Sequence, residues 1–254
     1  MQCSLFCKCS IVVQMLLTVV AAAAAYLSYQ QSQGTPTLVG AGPCPSLEHD
    51  GYTVFPAAAT PREALAALPV GYAFLNYTYR IHGTALTTWH RDVTSSQYAQ
   101  RTQHPTYTAI HYQSTGPLLS VAPGSHRGFS VEPTVTLEAE DPGMLVLFNA
   151  NLLHAGAPPP SLTAAASRRA VQFKIAHQDD IATGRLAHLE GVDVTRSAVA
   201  GEAPPPNWLR WLSWEFGWVG DTPVGAWLQQ AERAGGLAAK VQRLFPRFYN
   251  NPSD

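Results

Sequence analysis

Hydrophobic and polar positions alternate with a period of two along several stretches in the middle of the chain, the pattern of strands with one buried face. Phe74–Ile81 alternates up to a turn at Gly83, and Arg168–Ile175 sets Ala170, Gln172 and Lys174 against Val171, Phe173 and Ile175. Between them, Pro105–Tyr112 reads as a strand with Tyr107, Ala109 and His111 on one face and Thr108, Ile110 and Tyr112 on the other. The pattern leaves open which of these faces looks inward. Gly143–Leu153 is apolar almost throughout, bounded by Pro142 before and by Gly156 and Pro158 after, as expected for a buried strand that opens into a loop. Pro123–Gly124 ends another apolar stretch, and the Ser125–His126 pair behind it is expected to fix the loop through backbone hydrogen bonds rather than to do chemistry.

Helical signals lie outside this block. Thr60-Pro61-Arg62-Glu63 supplies an N-cap, a first-turn proline and an early acid, which predicts a short helix before Pro69. After Pro204–Pro206, Trp208, Trp211, Trp214 and Trp218 fall on one broad helical face, and a second helix is expected over about 225–244. The predicted organisation is therefore a linker at 30–61 and one domain at 62–254, with its core at 71–178 and C-terminal helices at about 205–246.

The N-terminal 29 residues read as a separate module. Ile11–Tyr29 carries no charge and as a helix would cover about 28 Å, close to one bilayer core. Lys8 precedes it and no Lys or Arg follows until Arg62, which places the N-terminus in the cytosol. The expectation is a signal anchor in a single-pass membrane protein, with the domain lumenal or extracellular. The alternative is a cleaved signal peptide and secretion, since Ala21–Ala25 offers small residues for cleavage. Immunoblotting beside an N-terminally truncated standard tests this, and the cleaved size would count against the anchor.

Composition narrows the class. The 254 residues include 46% hydrophobic side chains, enough for the full core of one catalytic domain. A net charge of -1 with 13% charged residues excludes the basic surface of a nucleic-acid binder. Arg91, Arg101 and Arg127 remain candidates for contact with an anionic substrate. Three of the four cysteines, Cys3, Cys7 and Cys9, fall in the first ten residues and only Cys44 lies beyond, so no disulfide framework supports the domain. The first three are candidates for palmitoylation beside an anchor, and their spacing lacks the partner pair of a zinc site.

The candidate chemistry lies in the order of four pieces: Trp89-His90-Arg91-Asp92, Pro123-Gly124-Ser125-His126, His154 and Arg168-Arg169. In an extended segment residues i and i+2 point the same way, so His90 and Asp92 can bind one ion while Arg91 faces away. A second His-x-Asp, at 177–179, follows the last clear strand and has no later histidine strand to complete it. Two imidazoles and one carboxylate, with His154 as the third ligand, leave half of an octahedral ferrous ion open. One arginine of the Arg168-Arg169 pair would face the pocket, where its planar fork suits a carboxylate.

Trp89–Asp92, Gly116–Arg127, the strand ending in His154 and Arg168 together resemble the iron(II)/2-oxoglutarate-dependent dioxygenases, specifically the phytanoyl-CoA dioxygenase-like branch, over about residues 71–178. The resemblance implies a mainly β fold with flanking helices, a double-stranded β-helix or jelly-roll barrel holding iron at its open end. It implies His90, Asp92 and His154 as iron ligands and catalytic centre. Arg168 would hold the distal carboxylate of 2-oxoglutarate, with Arg169 as fallback, and Tyr107 is either beside the co-substrate or ordinary core filling. It also implies O2 as co-reactant, release of succinate and CO2, ascorbate as a candidate accessory, and hydroxylation of a small molecule, lipid, glycan or protein side chain. The link Gln113–Gly116 is shorter than the acidic connection of many relatives, which bears on substrate class rather than on the iron site. Pro158–Pro160 with Ser161–Ser167 is either a lid or an ordinary connection. Two other classes stay in view: a noncatalytic jelly-roll binding module, and a cupin-type metal enzyme that needs no such arginine.

Overall fold

The computed structural model describes residues 37–38, 45–83, 89–128, 134–157 and 167–197. The chain divides into two compact units, Met1–Pro36 and Thr37–Asp254, and all the described residues belong to the second. The expected anchor, the expected C-terminal helices and the Pro158–Pro160 loop lie outside the described residues. Among the described residues no helix is long and apolar enough to cross a membrane.

Among the described residues, ten strands form two sheets. They are β1 (Thr37–Leu38), β2 (Tyr52–Phe55), β3 (Tyr72–His82), β4 (Tyr107–Tyr112), β5 (Gly116–Val121), β6 (Val135–Ala139), β7 (Leu145–Asn149), β8 (His154–Gly156), β9 (Arg169–His177) and β10 (Val192–Ser197). The smaller sheet has the order β1-β6-β5-β8 and the larger β10-β3-β9-β4-β7-β2. From β3 to β9 the chain passes repeatedly between the sheets, and most neighbours pair antiparallel. The protein is thus mainly β, a two-sheet sandwich with jelly-roll winding.

Inward-facing residues of both sheets meet in one core. Ile110, Tyr112, Val146, Phe148 and Ala170 from the larger sheet pack with Leu118, Leu119, Val121, Val135 and Leu137 from the smaller. The alternation in β4 and β9 thereby acquires a direction: Ile110, Tyr112 and Ala170 look between the sheets. Tyr107, Ala109 and Phe173 pack on the other side, against Tyr72, Phe74, Leu145, Leu147 and Ile175. Strand β7 is buried at all five positions because both of its faces are covered, which explains its unbroken apolar sequence.

The helix expected at Thr60 is present as α1 (Pro61–Ala66), with the Glu63 carboxylate accepting from the Thr60 backbone N–H and hydroxyl. Two short helices, α2 (Gln97–Gln100) and α3 (Gln178–Ala182), flank the sheets. Two details differ from the expectation. Tyr52–Phe55, inside the stretch read as a linker, forms β2 at the edge of the larger sheet, antiparallel to β7, with Tyr52 buried. The apolar run 143–153 does not end one strand at His154. It supplies β7, then turns and crosses to the smaller sheet, where His154 begins β8. The turn is made by Asn149, whose side-chain oxygen accepts from Asn151 N–H and whose carbonyl accepts from Leu152 N–H, both at 2.8 Å.

Candidate metal centre

The segment carrying His90 continues the smaller sheet past β8. His90 N–H donates to His154 O at 2.8 Å and His154 N–H returns to His90 O at 2.9 Å, a two-way bridge that sets the residues side by side. Asp92 N–H donates to Ala150 O at 2.8 Å, tying the next residue pair to the β7–β8 turn. Arg91 points the other way, as the i, i+2 rule requires. It is buried, and its guanidinium donates to Ser125 O at 2.7 Å and to Asn151 O. That position makes it a brace for the His90–Asp92 segment and not the surface cation that sequence allowed it to be.

Ser125 and His126 complete the brace. Gly124, at φ +72°, turns the chain into a 3₁₀ turn over Ser125–Arg127. Ser125 Oγ accepts from Leu153 N–H at 2.8 Å, one residue before His154, and His126 O accepts from the Asn151 side-chain amide at 2.9 Å. Both residues hold the loop, as expected.

His90, Asp92 and His154 are all buried, with their ligating atoms within 4.8 Å of one another. Asp92 Oδ1 lies 3.9 Å from His90 Nε2 and 3.7 Å from His154 Nε2. The two imidazole centroids are 4.3 Å apart. Adjacent ligands at about 2.1 Å from an ion stand about 3 Å apart, so closing on a metal needs each of these gaps to shrink by under about 1 Å. His154 Nδ1 lies 2.9 Å from Leu152 O, an acceptor only, so this nitrogen carries the proton and Nε2 keeps its lone pair. Burial lowers the His154 pKa, opposed by the Asp92 charge and by this backbone hydrogen bond, which favours the neutral ring a metal requires.

The other oxygen of Asp92 is clamped. Lys174, from β9, donates to Oδ2 at 2.5 Å and to Thr108 Oγ1 at 2.8 Å, and the Thr108 hydroxyl also donates to Oδ2 at 2.5 Å. Both Lys174 and Asp92 have side chains only 1% exposed. Burial pushes the Asp92 pKa up, but the Lys174 ammonium, followed by His154 and His90, overrides it and holds the carboxyl well below the usual range. One carboxylate oxygen is thus locked to the protein and the other is presented to two imidazoles, the division of labour of a monodentate ligand with an outer-shell partner.

Lys174 and Thr108 were not recognised in sequence as site residues. Their signal was present as a lysine in phase with Ala170 and a threonine in phase with Ile110, each on what proves to be the buried face of an alternating strand.

The remaining candidates separate. Arg168 is buried, and its Nη2 donates to Pro117 O at 2.6 Å and Ala157 O at 2.9 Å, while Arg169 is exposed. Burial lowers the Arg168 pKa, and the nearby Tyr112 opposes this. Tyr107 is not brought to the centre. It stands on the opposite face from Thr108, edge-on to Tyr72 at 5.4 Å, because the β4 face carrying Thr108 and Tyr112 is the inner one.

The second His-x-Asp also gathers three metal-type ligands, His104, His177 and Asp179. Its rings are stacked, with centroids 3.8 Å apart and planes at 24°, so their lone pairs run side by side instead of converging. His104 Nδ1 pairs with the buried Asp180 carboxylate at 3.0 Å and His177 Nδ1 accepts the Asp179 N–H, which makes this group a helix-start hydrogen-bond network.

No protein-family model and no curated protein matches the chain. Among solved structures it is similar to the non-heme alpha-ketoglutarate-dependent epimerase SnoN of nogalamycin biosynthesis, at 14% identity and a TM-score of 0.37, over 52% of this chain and 79% of that one. It is similar to EvdO2 from Micromonospora carbonacea var. aurantiaca, solved with 2-oxoglutarate, at 13% identity and a TM-score of 0.34, over 51% and 86%. It is also similar to EctD from S. alaskensis, solved with 2-oxoglutarate and 5-hydroxyectoine, at 16% identity and a TM-score of 0.34, over 53% and 74%. Likeness at this level carries no argument about chemistry. What the chain itself defines is a mainly β sandwich with a buried candidate two-histidine, one-carboxylate metal centre.

Proposed function

We propose that this protein is an iron(II)- and 2-oxoglutarate-dependent dioxygenase that hydroxylates an organic substrate. The observation that carries the reading is Asp92, with Oδ1 turned to two buried imidazole Nε2 atoms and Oδ2 held by Lys174 and Thr108. Two neutral nitrogens and one carboxylate oxygen on one side of an ion suit ferrous iron with open positions, whereas a closed structural zinc site needs a fourth protein ligand.

Iron and 2-oxoglutarate, when bound, couple decarboxylation of the oxo acid by O2 to oxidation of a substrate C–H bond. The side chains do the rest. His90, Asp92 and His154 hold the ion, and the Leu152 carbonyl keeps His154 Nε2 unprotonated. Lys174 and Thr108 fix the carboxylate so that it presents one oxygen. Arg168, the inward member of the pair, is the cation for the distal carboxylate of the oxo acid, and Phe148, 4.5 Å from the His154 ring, helps to exclude water.

Ferrous iron and 2-oxoglutarate without added substrate, with ascorbate as reductant, are expected to give succinate, and His90→Ala is expected to abolish it. Succinate formation at the native rate by His90→Ala would overturn the site. A folded native protein that develops no visible charge-transfer band on anaerobic addition of iron and 2-oxoglutarate would point instead to a noncatalytic binding module.

A further inference from the structure

Strand β9 and the residue before it carry four consecutive same-side positions: Arg168, Ala170, Gln172 and Lys174. Ala170 lies in the core between the sheets, Lys174 reaches Asp92, and Arg168 reaches carbonyls at Pro117 and Ala157. Positions two apart on a strand are separated by about 6.6–6.8 Å, so Gln172 stands one step from the Asp92 clamp and two steps from Arg168. In register it faces Tyr79 of β3 and Ile110 of β4.

Gln172 is 7% exposed, yet its side-chain amide makes no hydrogen bond among the described residues. Its polar atoms are not fully enclosed. The other polar groups on this face are engaged: Lys174 with Asp92 and Thr108, Arg168 with two carbonyls. An amide that is largely buried, still reached from outside and unpaired within the described residues is placed to hydrogen-bond a ligand. The Lys174 charge is balanced by Asp92, whereas Arg168 is held by backbone carbonyls and by no carboxylate among the described residues, and that unbalanced charge on the same face favours an anionic partner.

We propose that Gln172 is a binding residue for the 2-oxo acid end of the co-substrate, its amide N–H donating to the oxo-acid oxygens that sit beside the metal carboxylate. The proposal rests on the dioxygenase reading. A dicarboxylate that places one end at Arg168 and the other at the Asp92 centre passes Gln172 on the way, and the amide supplies directional donors where Lys174 is already committed to Asp92. Gln172 would then act on co-substrate affinity and leave the metal ligands untouched.

The test is anaerobic equilibrium dialysis of 2-oxoglutarate against the iron-loaded full chain, native and variant, with iron affinity measured in parallel. Gln172→Met, which keeps length and removes the amide, is expected to weaken 2-oxoglutarate binding about tenfold or more. Gln172→Glu, which puts a carboxylate against the oxo acid, is expected to weaken it further, with iron affinity unchanged in both. Pyruvate, which has the 2-oxo acid and no distal carboxylate, should show the same loss in Gln172→Met and none in Arg168→Ala. Native 2-oxoglutarate affinity in Gln172→Met overturns the proposal, and should that variant not fold, native affinity in Gln172→Glu does so. If the native chain binds no 2-oxoglutarate at all, the dioxygenase reading fails first; if it binds and the variants bind equally, only the role of Gln172 fails.

Discussion

Asp92→Ala is expected to abolish metal binding and also to destabilise the fold by about 3–5 kcal/mol, because it strands the Lys174 ammonium in the interior without its counter-charge. The two effects have separate causes and come apart in further variants. His90→Ala removes a metal ligand and leaves the Asp92–Lys174 pair intact, so it is expected to lose metal at a smaller cost in stability. Asp92→Ala combined with Lys174→Met removes both charges and is expected to recover most of the lost stability while still binding no metal. Lys174→Met alone leaves the Asp92 carboxylate buried beside Thr108 and the two imidazoles without the ammonium. Its folded state is therefore expected to lean on added metal, with a larger thermal upshift than in the native chain; ligand at 100 times its Kd contributes about 2.7 kcal/mol. Calorimetric unfolding with and without ferrous iron or manganese measures the four variants and the native chain. An Asp92→Ala variant as stable as the native chain would remove the buried pair from the account.

Arg168→Ala is expected to weaken 2-oxoglutarate about 100-fold while leaving iron affinity near native. On the proposed dioxygenase reading, the loss would come from two charge-assisted hydrogen bonds to one carboxylate, each contributing about 1.5–3 kcal/mol before the usual non-additivity. A structural cost accompanies it, since Pro117 O and Ala157 O lose the Nη2 donor they share. Arg168→Lys keeps the charge without the planar fork and is expected to fall between the two. Arg169→Ala, at an exposed position, should bind as the native chain does. Equilibrium dialysis of 2-oxoglutarate under anaerobic conditions ranks the variants, and native affinity in Arg168→Ala would move the anchor elsewhere.

The candidate ligand residues were legible because a metal-binding pattern leaves a local mark. His90 and Asp92 are two apart in an extended segment, and a later histidine flanked by an apolar run marks a second strand. The start of α1 was equally plain, since Thr60, Pro61 and Glu63 satisfy the helix start among themselves. Tyr107 shows the limit of period-two reasoning. Alternation correctly divided β4 into two faces, but both are apolar enough to be buried, and only the packing of the larger sheet against β5 and β6 of the smaller one assigns the inner face to Thr108 and Tyr112. Lys174 was passed over for a related reason: a lysine in an alternating strand ordinarily marks the solvent side, and its burial depends on a carboxylate 82 residues earlier in the chain.

By itself, the sequence determined the three alternating strands at 74–81, 105–112 and 168–175 with the phase of each, the punctuation at Pro123–Gly124 and the shared side of His90 and Asp92, all of which depend on neighbours within a few residues, but not β2, β6 or β10. Tertiary structure alone decided which phase faces the interior, that the run 143–153 turns at Asn149 to deliver His154 beside His90, that Arg168 rather than Arg169 is buried, and that Lys174 and Thr108 hold Asp92. The physical reason is that alternation is unchanged when the two faces are exchanged. A buried charge or amide acquires its meaning from partners that only the winding of two sheets brings within hydrogen-bond range.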